Sequence, residues 1–380
     1  MPNYGERAGE ATESVEVVVI GGGPAGSAVA LALARAGRSV LVVEREPRPL
    51  LRPGETLPPS VRPLLARAGL WHEFEAAGHV PCVGNRSAWG GPALSHHDFI
   101  FSPYGTGWHI DRRKFDEMLL RGARGAGARV LAGARLEGFS HRPGRGWRLE
   151  VARRERRTAV RARFVADASG RASAFAVGCG LTRAALDHMV AVVGYFTTER
   201  DVSSADRSTL VEAAEAGWWY SALLPGGKLV AAYMTDADLA ARDKARARAR
   251  WLSLLEQTTH TRRRIESADF RLAASPRVVA AGSSRLSHVA GSSWLAAGDA
   301  AASYDPLSSQ GISTAISTGL DAAAAIDLHL DDDSSALKDY ARRTSEAFAT
   351  YVVNRTAYYR MEKRWPASPF WSRRQNVNKT

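Results

Sequence analysis

Residues 17–44 read VVVIGGGPAGSAVALALARAGRSVLVVE, and the order of these residues decides the fold. Val17–Ile20 is an apolar run of the buried-strand type. It enters Gly21-x-Gly23-x-x-Gly26, which opens a helix expected over Ser27–Ala36. Gly37 stops that helix, and a second apolar strand, Ser39–Val43, leads to Glu44. Gly21 permits a tight turn, Gly23 lets the backbone approach a pyrophosphate, and Gly26 lets helix pack on strand. Free N–H groups and the helix dipole favour phosphate at the helix start, where Pro24 and Ala25 stand. Glu44 lies where an acid would accept from ribose hydroxyls, with Arg45 beside it. A glycine-rich turn alone carries little weight. Strand, loop, helix, second strand and acid in this order predict a dinucleotide-binding unit.

Three further segments extend the pattern. Residues 294–320 read WLAAGDAAASYDPLSSQGISTAISTGL. A short strand, Trp294–Ala297, precedes Gly298-Asp299, and a small-residue helix follows Pro306, Gly311 and Ile312. Ile110-Asp111-Arg112-x-x-Phe115-Asp116 reads as a helix start, capped by Asp111. Arg112 in that turn has the planar fork that suits phosphate oxygens. Phe164-Val165-Ala166-Asp167-Ala168-Ser169-Gly170-Arg171 reads as a strand and turn.

This ordered set resembles the FAD-dependent monooxygenase and flavin halogenase superfamily. The resemblance implies an α/β fold: a Rossmann-type FAD-binding domain of the glutathione-reductase-2 type. An inserted mixed or antiparallel β-sheet substrate domain and C-terminal helices complete it. It implies that Arg112 reaches the cofactor's phosphates, that Asp299 meets the ribityl chain, and that the helix after Gly311 faces the flavin. The segments GETLPPSVRPLLARAGL, NRSAWGG, GWHIDRRKFDEML, GWWYSALLP and AGDAAASYDPLSSQGI resemble the LodB/QhpG-like tryptophan-modifying flavoproteins in particular. That closer resemblance implies hydroxylation of an electron-rich aromatic through a flavin C4a-hydroperoxide. The aromatic would be a tryptophan side chain of a peptide or protein. Electrons would come from NAD(P)H or a partner flavin reductase, since one dinucleotide fingerprint serves FAD and a second is missing.

The halogenases of the superfamily carry a Gly-Glu-x-x-x-Pro loop, a lysine some twenty residues later that handles hypohalous acid, and Trp-x-Trp-x-Ile-Pro. Here the loop is present as Gly54-Glu55-Thr56-Leu57-Pro58-Pro59. No lysine precedes Lys114, and Gly217-Trp218-Trp219-Tyr220-Ser221-Ala222-Leu223-Leu224-Pro225 lacks the second Trp and the Ile-Pro. The expectation is oxygenation. The alternatives are a halogenase, a small-molecule aromatic hydroxylase and a flavin-dependent reductase.

Candidate groups for proton transfer are Glu55 and His109, and for substrate contact Tyr195, Trp218, Tyr220, His97 and Asp305. Strand alternation puts Trp218 and Tyr220 on one face and Trp219 on the other. Cys82 and Cys179 form no metal or redox spacing, so no metal is expected.

At 380 residues and 45% hydrophobic, the chain has material for about two domains. Residues 1–14 are expected as a flexible tail. The FAD-binding domain is expected from residues 15–80, 105–175 and 281–332, and the substrate domain from 81–104 and 176–280, with a helix around 237–258. Residues 333–380 are expected as a C-terminal helical segment. No apolar run reaches membrane-spanning length and no signal-peptide pattern opens the chain, so a cytoplasmic enzyme is expected. The net charge is +12, with arginines crowded at 153–163, 244–250 and 262–264. These runs are not interleaved with aromatics, which argues against nucleic acid. They read either as a solvated surface or as a face for an acidic partner.

Overall fold

The computed structural model describes residues 13–50 and 52–375. Its first sheet is built on the strand Glu13–Ile20, which pairs in parallel with Val40–Glu44 on one side and Arg156–Asp167 on the other. Arg129–Ala132 and Trp294–Ala296 extend the parallel part, and Ala134–Arg142 and Gly146–Arg153 form an antiparallel meander with Arg156–Asp167. The alternation of apolar residues explains the layers. Val17 and Val19 face the helices Pro24–Arg35, Arg112–Gly125 and Gly311–Leu330, whose inner sides supply Val29, Phe115 and Ile316. Val18 and Ile20 face Trp147, Leu149 and Phe175 beneath the meander. Burying both faces of the strand is why Val15–Ile20 reads as nearly continuous apolar sequence.

The first strand starts earlier than its apolar run. Glu13 and Ser14, expected in the tail, pair with Val160 and Arg161. The rest of the expected tail lies outside the described residues. The first helix likewise starts at Pro24, inside the glycine loop, because proline is preorganised for a helix's first turn.

The second sheet is mixed. In order across it run Arg271–Leu272, Met189–Thr197, Lys228–Asp236, Gly217–Leu224, Thr209–Ala214, Gly84–Ala88 and Ser95–Asp98. Only the pair Thr209–Ala214 with Gly84–Ala88 is parallel among these. Trp219 stacks on Tyr233 and meets Trp251 on one face. Trp218 and Tyr220 lie on the other, as alternation predicts. The single helix expected around 237–258 is instead two short ones, Ala237–Arg242 and Arg248–Glu256, and a third, His260–Glu266, follows it. Lys244 turns the chain with φ +49°, and the Glu212 carboxylate gathers the backbone N–H groups of Thr259, His260 and Thr261 at the last helix's start.

A small sheet, Thr56–Leu57 with Gly107–His109 and Val80–Cys82, lies between the two large ones. The long helix Ala336–Met361 and the short helix Pro369–Gln375 close the chain against the Trp218 face. No helix of the described residues is long and apolar enough to cross a membrane.

Candidate active site

The glycine loop is shaped to take a phosphate. Gly21 has φ +102°, a conformation side chains rarely adopt, and a Cβ on Gly26 would lie on the Gly21 carbonyl. Both positions are closed by backbone packing. At Gly23, by contrast, a Cβ would meet nothing within 4 Å. The same is true of Gly311, at the start of Gly311–Leu330. Two open glycines at two helix N-termini form a cradle on this chain's own geometry, and a flat, phosphate-bearing dinucleotide fits it. The two ends belong to one site, because a Cβ on Gly298 would touch the Ala25 side chain at 2.6 Å and one on Gly54 would reach Ile312 at 3.9 Å. Ser313 adds a buried hydroxyl without a partner in the first turn after Gly311. Glu44 closes the other end. Its carboxylate accepts from the N–H of Gly22 at 2.5 Å and of Glu46 at 2.8 Å. Arg45 is exposed and pairs with Glu46 at 3.3 Å.

Arg112 is buried and bonds Asp116 through two nitrogens at 3.2 and 3.1 Å and the Pro53 carbonyl at 2.7 Å. Asp111 caps the helix beside it, accepting from Arg113 N at 2.9 Å. The capping reading of Asp111 holds, and Arg112, buried and not solvated, braces the Gly54 loop. Asp299 faces Arg171 at 3.5 Å. Burial pushes its carboxyl up against the opposing pull of Arg171, Arg183 and Arg112. Arg183 fixes the turn by donating to the carbonyls of Asp299 and Ala300 at 3.0 and 2.9 Å.

Where the small sheet meets the second sheet, polar side chains gather. Tyr195 donates its hydroxyl to Glu55 Oε1 at 2.7 Å, and Gly54 N donates to Glu55 Oε2 at 2.9 Å. Tyr220 and Thr56 share a hydrogen bond of 2.6 Å. Thr209 lies 3.5 Å from Thr56, 3.6 Å from Cys82 and 3.0 Å from His109 Nε2. Strand register explains the grouping: Glu55 and Thr56 run into the short strand paired with His109, while Tyr195, Tyr220 and Thr209 share one face of the large sheet. Glu55 is 2% exposed, and that burial pushes its carboxyl up despite the two N–H and O–H donors and the Arg112 charge. A carboxylate so raised is a stronger proton acceptor than one in water. Burial also pushes the phenols of Tyr195 and Tyr220 well up, so both stay protonated as donors.

Several expected site residues take other roles. His109 is fully buried, its Nδ1 has no partner, and burial with the nearby Arg264 charge lowers it to about 3. It is a neutral ring, not a group poised to exchange a proton near neutrality. Asp305 is 2% exposed and held on every side. Tyr359 donates to its Oδ2 at 2.7 Å, Arg355 Nε at 3.2 Å, and its Oδ1 accepts from Leu307 N at 2.9 Å. It anchors the Pro306 turn and has no face left for substrate. Trp218 is covered by the C-terminal helices and donates to Tyr359 at 3.1 Å. His97 stands on the exposed edge strand, its ring edge-on to Phe99. Sequence reasoning does not single out Thr56, Thr209, Arg183 or Tyr359, and it meets Arg264 only within a basic run. Thr56 alone carries a signal, as the next residue in the Gly54-Glu55 loop. Among the described residues no set of three or more His, Cys, Asp or Glu side chains gathers as a metal site.

A nucleotide cradle on a parallel sheet, joined to a mixed sheet through a buried polar cluster, defines an FAD-dependent oxidoreductase. The chain matches the FAD binding domain family over residues 14–356 and belongs to it. It is 30% identical over 367 residues to the putative FAD-dependent oxidoreductase LodB of Marinomonas mediterranea, covering 95% of this chain and 97% of that one. A flavin-dependent halogenase of Armillaria mellea is equally similar, 30% over 345 residues, covering 82% and 67%. Among solved structures, the myxobacterial chondrochloren halogenase CndH superposes with a TM-score of 0.88 at 26% identity, covering 97% of this chain and 87% of that one. The peptidyl tryptophan dihydroxylase QhpG shares the fold, with a TM-score of 0.73 at 24% identity, covering 95% and 79%.

Proposed function

We propose that this protein is a flavin-dependent monooxygenase that hydroxylates an electron-rich aromatic, a tryptophan side chain within a peptide or protein. One observation carries the choice of oxygenation. Every described lysine, Lys114, Lys228, Lys244, Lys338 and Lys363, is exposed, so the polar cluster at the domain junction contains no amine. A halogenase resemblance implies an amine there. The peptide substrate rests on the sequence resemblance and on the fold shared with the peptidyl tryptophan dihydroxylase QhpG.

In this reading the Gly21–Gly26 loop, Glu44, Arg112, Asp299 and the Pro306–Ile312 segment hold FAD, with residues 15–80, 105–175 and 281–332 as its domain. FAD supplies the redox chemistry with dioxygen when bound. The chain's own residues position the arene and exclude water. Tyr220, oriented by Thr56, presents a phenol to the substrate side. Glu55 takes the proton released from the aromatic ring, either directly or through the Tyr195 hydroxyl that it holds. NAD(P)H or a partner flavin reductase supplies electrons.

Halogenation is the second reading, favoured by the Armillaria mellea relative. The test is product mass from a tryptophan-containing peptide incubated with reduced FAD, dioxygen and excess bromide. The product is expected to gain oxygen. A brominated product formed while free hypobromite is scavenged assigns the protein to the halogenases instead.

A further inference from the structure

One peptide group stands between Arg112 and Glu55. Arg112 Nη1 donates to the Pro53 carbonyl at 2.7 Å. The other end of the same peptide, the Gly54 N–H, donates to Glu55 Oε2 at 2.9 Å. In a trans peptide the C=O and N–H point in opposite directions, so a cation lies on one side of this plane and a carboxylate on the other. A charge at the carbonyl polarises the peptide and strengthens the bond that its N–H makes. The plane has little freedom to turn. Proline locks φ before it, and Gly54 after it has φ +103°, which side chains rarely adopt. A Cβ on Gly54 would lie 2.8 Å from Arg112 Nη1, so the guanidinium packs directly on this turn.

Arg112 is held as firmly as the peptide. It is 7% exposed, and its Nε and Nη2 both bond Asp116, one helical turn on, at 3.2 and 3.1 Å. Asp116 fixes the fork and leaves the third nitrogen for Pro53. A brace for the loop needs no charge. A buried cation this near a buried carboxylate also acts on that carboxylate's proton. The groups that act on Glu55 come from three elements: Tyr195 from Met189–Thr197, Tyr220 from Gly217–Leu224 and Arg112 from Arg112–Gly125. Both phenols stay protonated, so Arg112 supplies the charge.

We infer that Arg112 is a positioning residue of the reaction: through the Pro53–Gly54 peptide it orients the Glu55 carboxylate and keeps it ionised, ready to take a proton. The inference rests on the reading of Glu55 as proton acceptor.

The test follows the Glu55 carboxyl itself. The FAD-loaded full chain, isotope-labelled at its glutamate carboxyls, is titrated by carbon NMR, and Glu55→Gln identifies the signal. Arg112→Gln is expected to raise the Glu55 midpoint by roughly one pH unit, a ten-fold tighter hold on the proton. Arg112→Lys keeps the charge and should stay closer to the parent than to Arg112→Gln. Asp116→Asn removes the carboxylate that shares the guanidinium, and should lower the midpoint. Where Arg112→Gln loses FAD, it and the parent are compared without FAD. Where it does not fold, Asp116→Asn decides alone. A midpoint unmoved in the deciding variant, or raised as much by Arg112→Lys as by Arg112→Gln, overturns the inference. The acid limb of kcat/KM with an aromatic substrate should move with the midpoint in each variant. An unmoved midpoint is a failure of the Arg112 link, whereas a moved midpoint with an unmoved limb is a failure of the Glu55 reading.

Discussion

Burial moves Glu55 and His109 in opposite directions on the pH axis, and each shift has its own consequence. Glu55 must be ionised to accept a proton. As pH falls, kcat/KM with an aromatic substrate is expected to decline through a value above the ordinary carboxylate range, set by that burial. Glu55→Gln should remove this acid limb and lower kcat by roughly 100-fold or more. Tyr195→Phe should keep the limb and move it to higher pH, because the lost hydrogen bond had favoured the carboxylate. A pH–rate profile of the three proteins decides this, and an unmoved limb in Glu55→Gln removes Glu55 from the mechanism. His109 concerns stability. Its folded value of about 3 lies below the unfolded 6.5, so below 6.5 the unfolded chain binds a proton that the folded chain refuses. Stability is full above 6.5 and is lost as pH falls toward 3. His79, lowered to about 4 with both ring nitrogens unpartnered, acts in the same direction. Near pH 4 the His109 share alone is about 3 kcal/mol. Urea midpoints measured between neutrality and roughly pH 4 should fall steeply, and less steeply in His109→Gln, whose uncharged amide has no proton to bind.

Between elements, one helix holds the Pro306 turn. Tyr351, Arg355 and Tyr359 recur every four residues on Ala336–Met361, and all three bond Asp305. Asp305 in turn caps Leu307 ahead of Gly311–Leu330. Tyr359→Phe removes a hydrogen bond to a buried carboxylate, a loss of about 1.5–3 kcal/mol, and should weaken FAD retention while leaving the fold intact. Fluorescence titration with FAD measures it. Gly23→Val acts at the opposite end. The new side chain fills space that the present backbone leaves open, and overpacking of about 1–3 kcal/mol corresponds to roughly 5- to 150-fold weaker FAD binding. Unchanged affinity in Gly23→Val would remove the phosphate from that loop. These two ends differ in how legible they are in the sequence. Gly21–Gly26 is readable because every constraint on it is local: turn, cap and helix lie within a few residues. Asp305 and Trp218 read as substrate contacts because their local spacing allows it. What decides their role is Tyr359, more than fifty residues from Asp305 and more than a hundred from Trp218, and chain spacing carries no record of which element covers a strand face. For His97, likewise, chain spacing does not record that its strand is the sheet's last.

At the scale of the whole molecule the excess positive charge has to be divided between core and surface. Arg264, from one of the basic runs, is not surface at all. It donates to the carbonyls of Asp206, Ser208 and Ser221 at 2.7, 2.6 and 3.1 Å, beneath the polar cluster. Arg355 and Arg374 are likewise buried among aspartates. Arg153, Arg154, Arg156 and Arg157 are different. They surround the exposed hairpin turn between Gly146–Arg153 and Arg156–Asp167, where Glu137 at 2.9 Å from Arg157 is a carboxylate partner. Exposed ion pairs of that kind add at most about 1 kcal/mol to stability, so four such arginines have little structural reason to stay charged. Their field extends about 8–10 Å into physiological salt, far enough to speed encounter with an acidic macromolecule, and it does not steer a neutral indole, which has no net charge. Replacing all four with glutamine should therefore lower kcat/KM for an acidic tryptophan peptide about ten-fold at low salt, with kcat unchanged. The difference from the parent should vanish as salt is raised, because screening removes from the parent what the substitution removes from the variant. FAD content and melting temperature should match the parent's. Steady-state kinetics across a salt series provides the check. A peptide rate that is flat with salt in both proteins would mean that the charge faces solvent and steers no substrate.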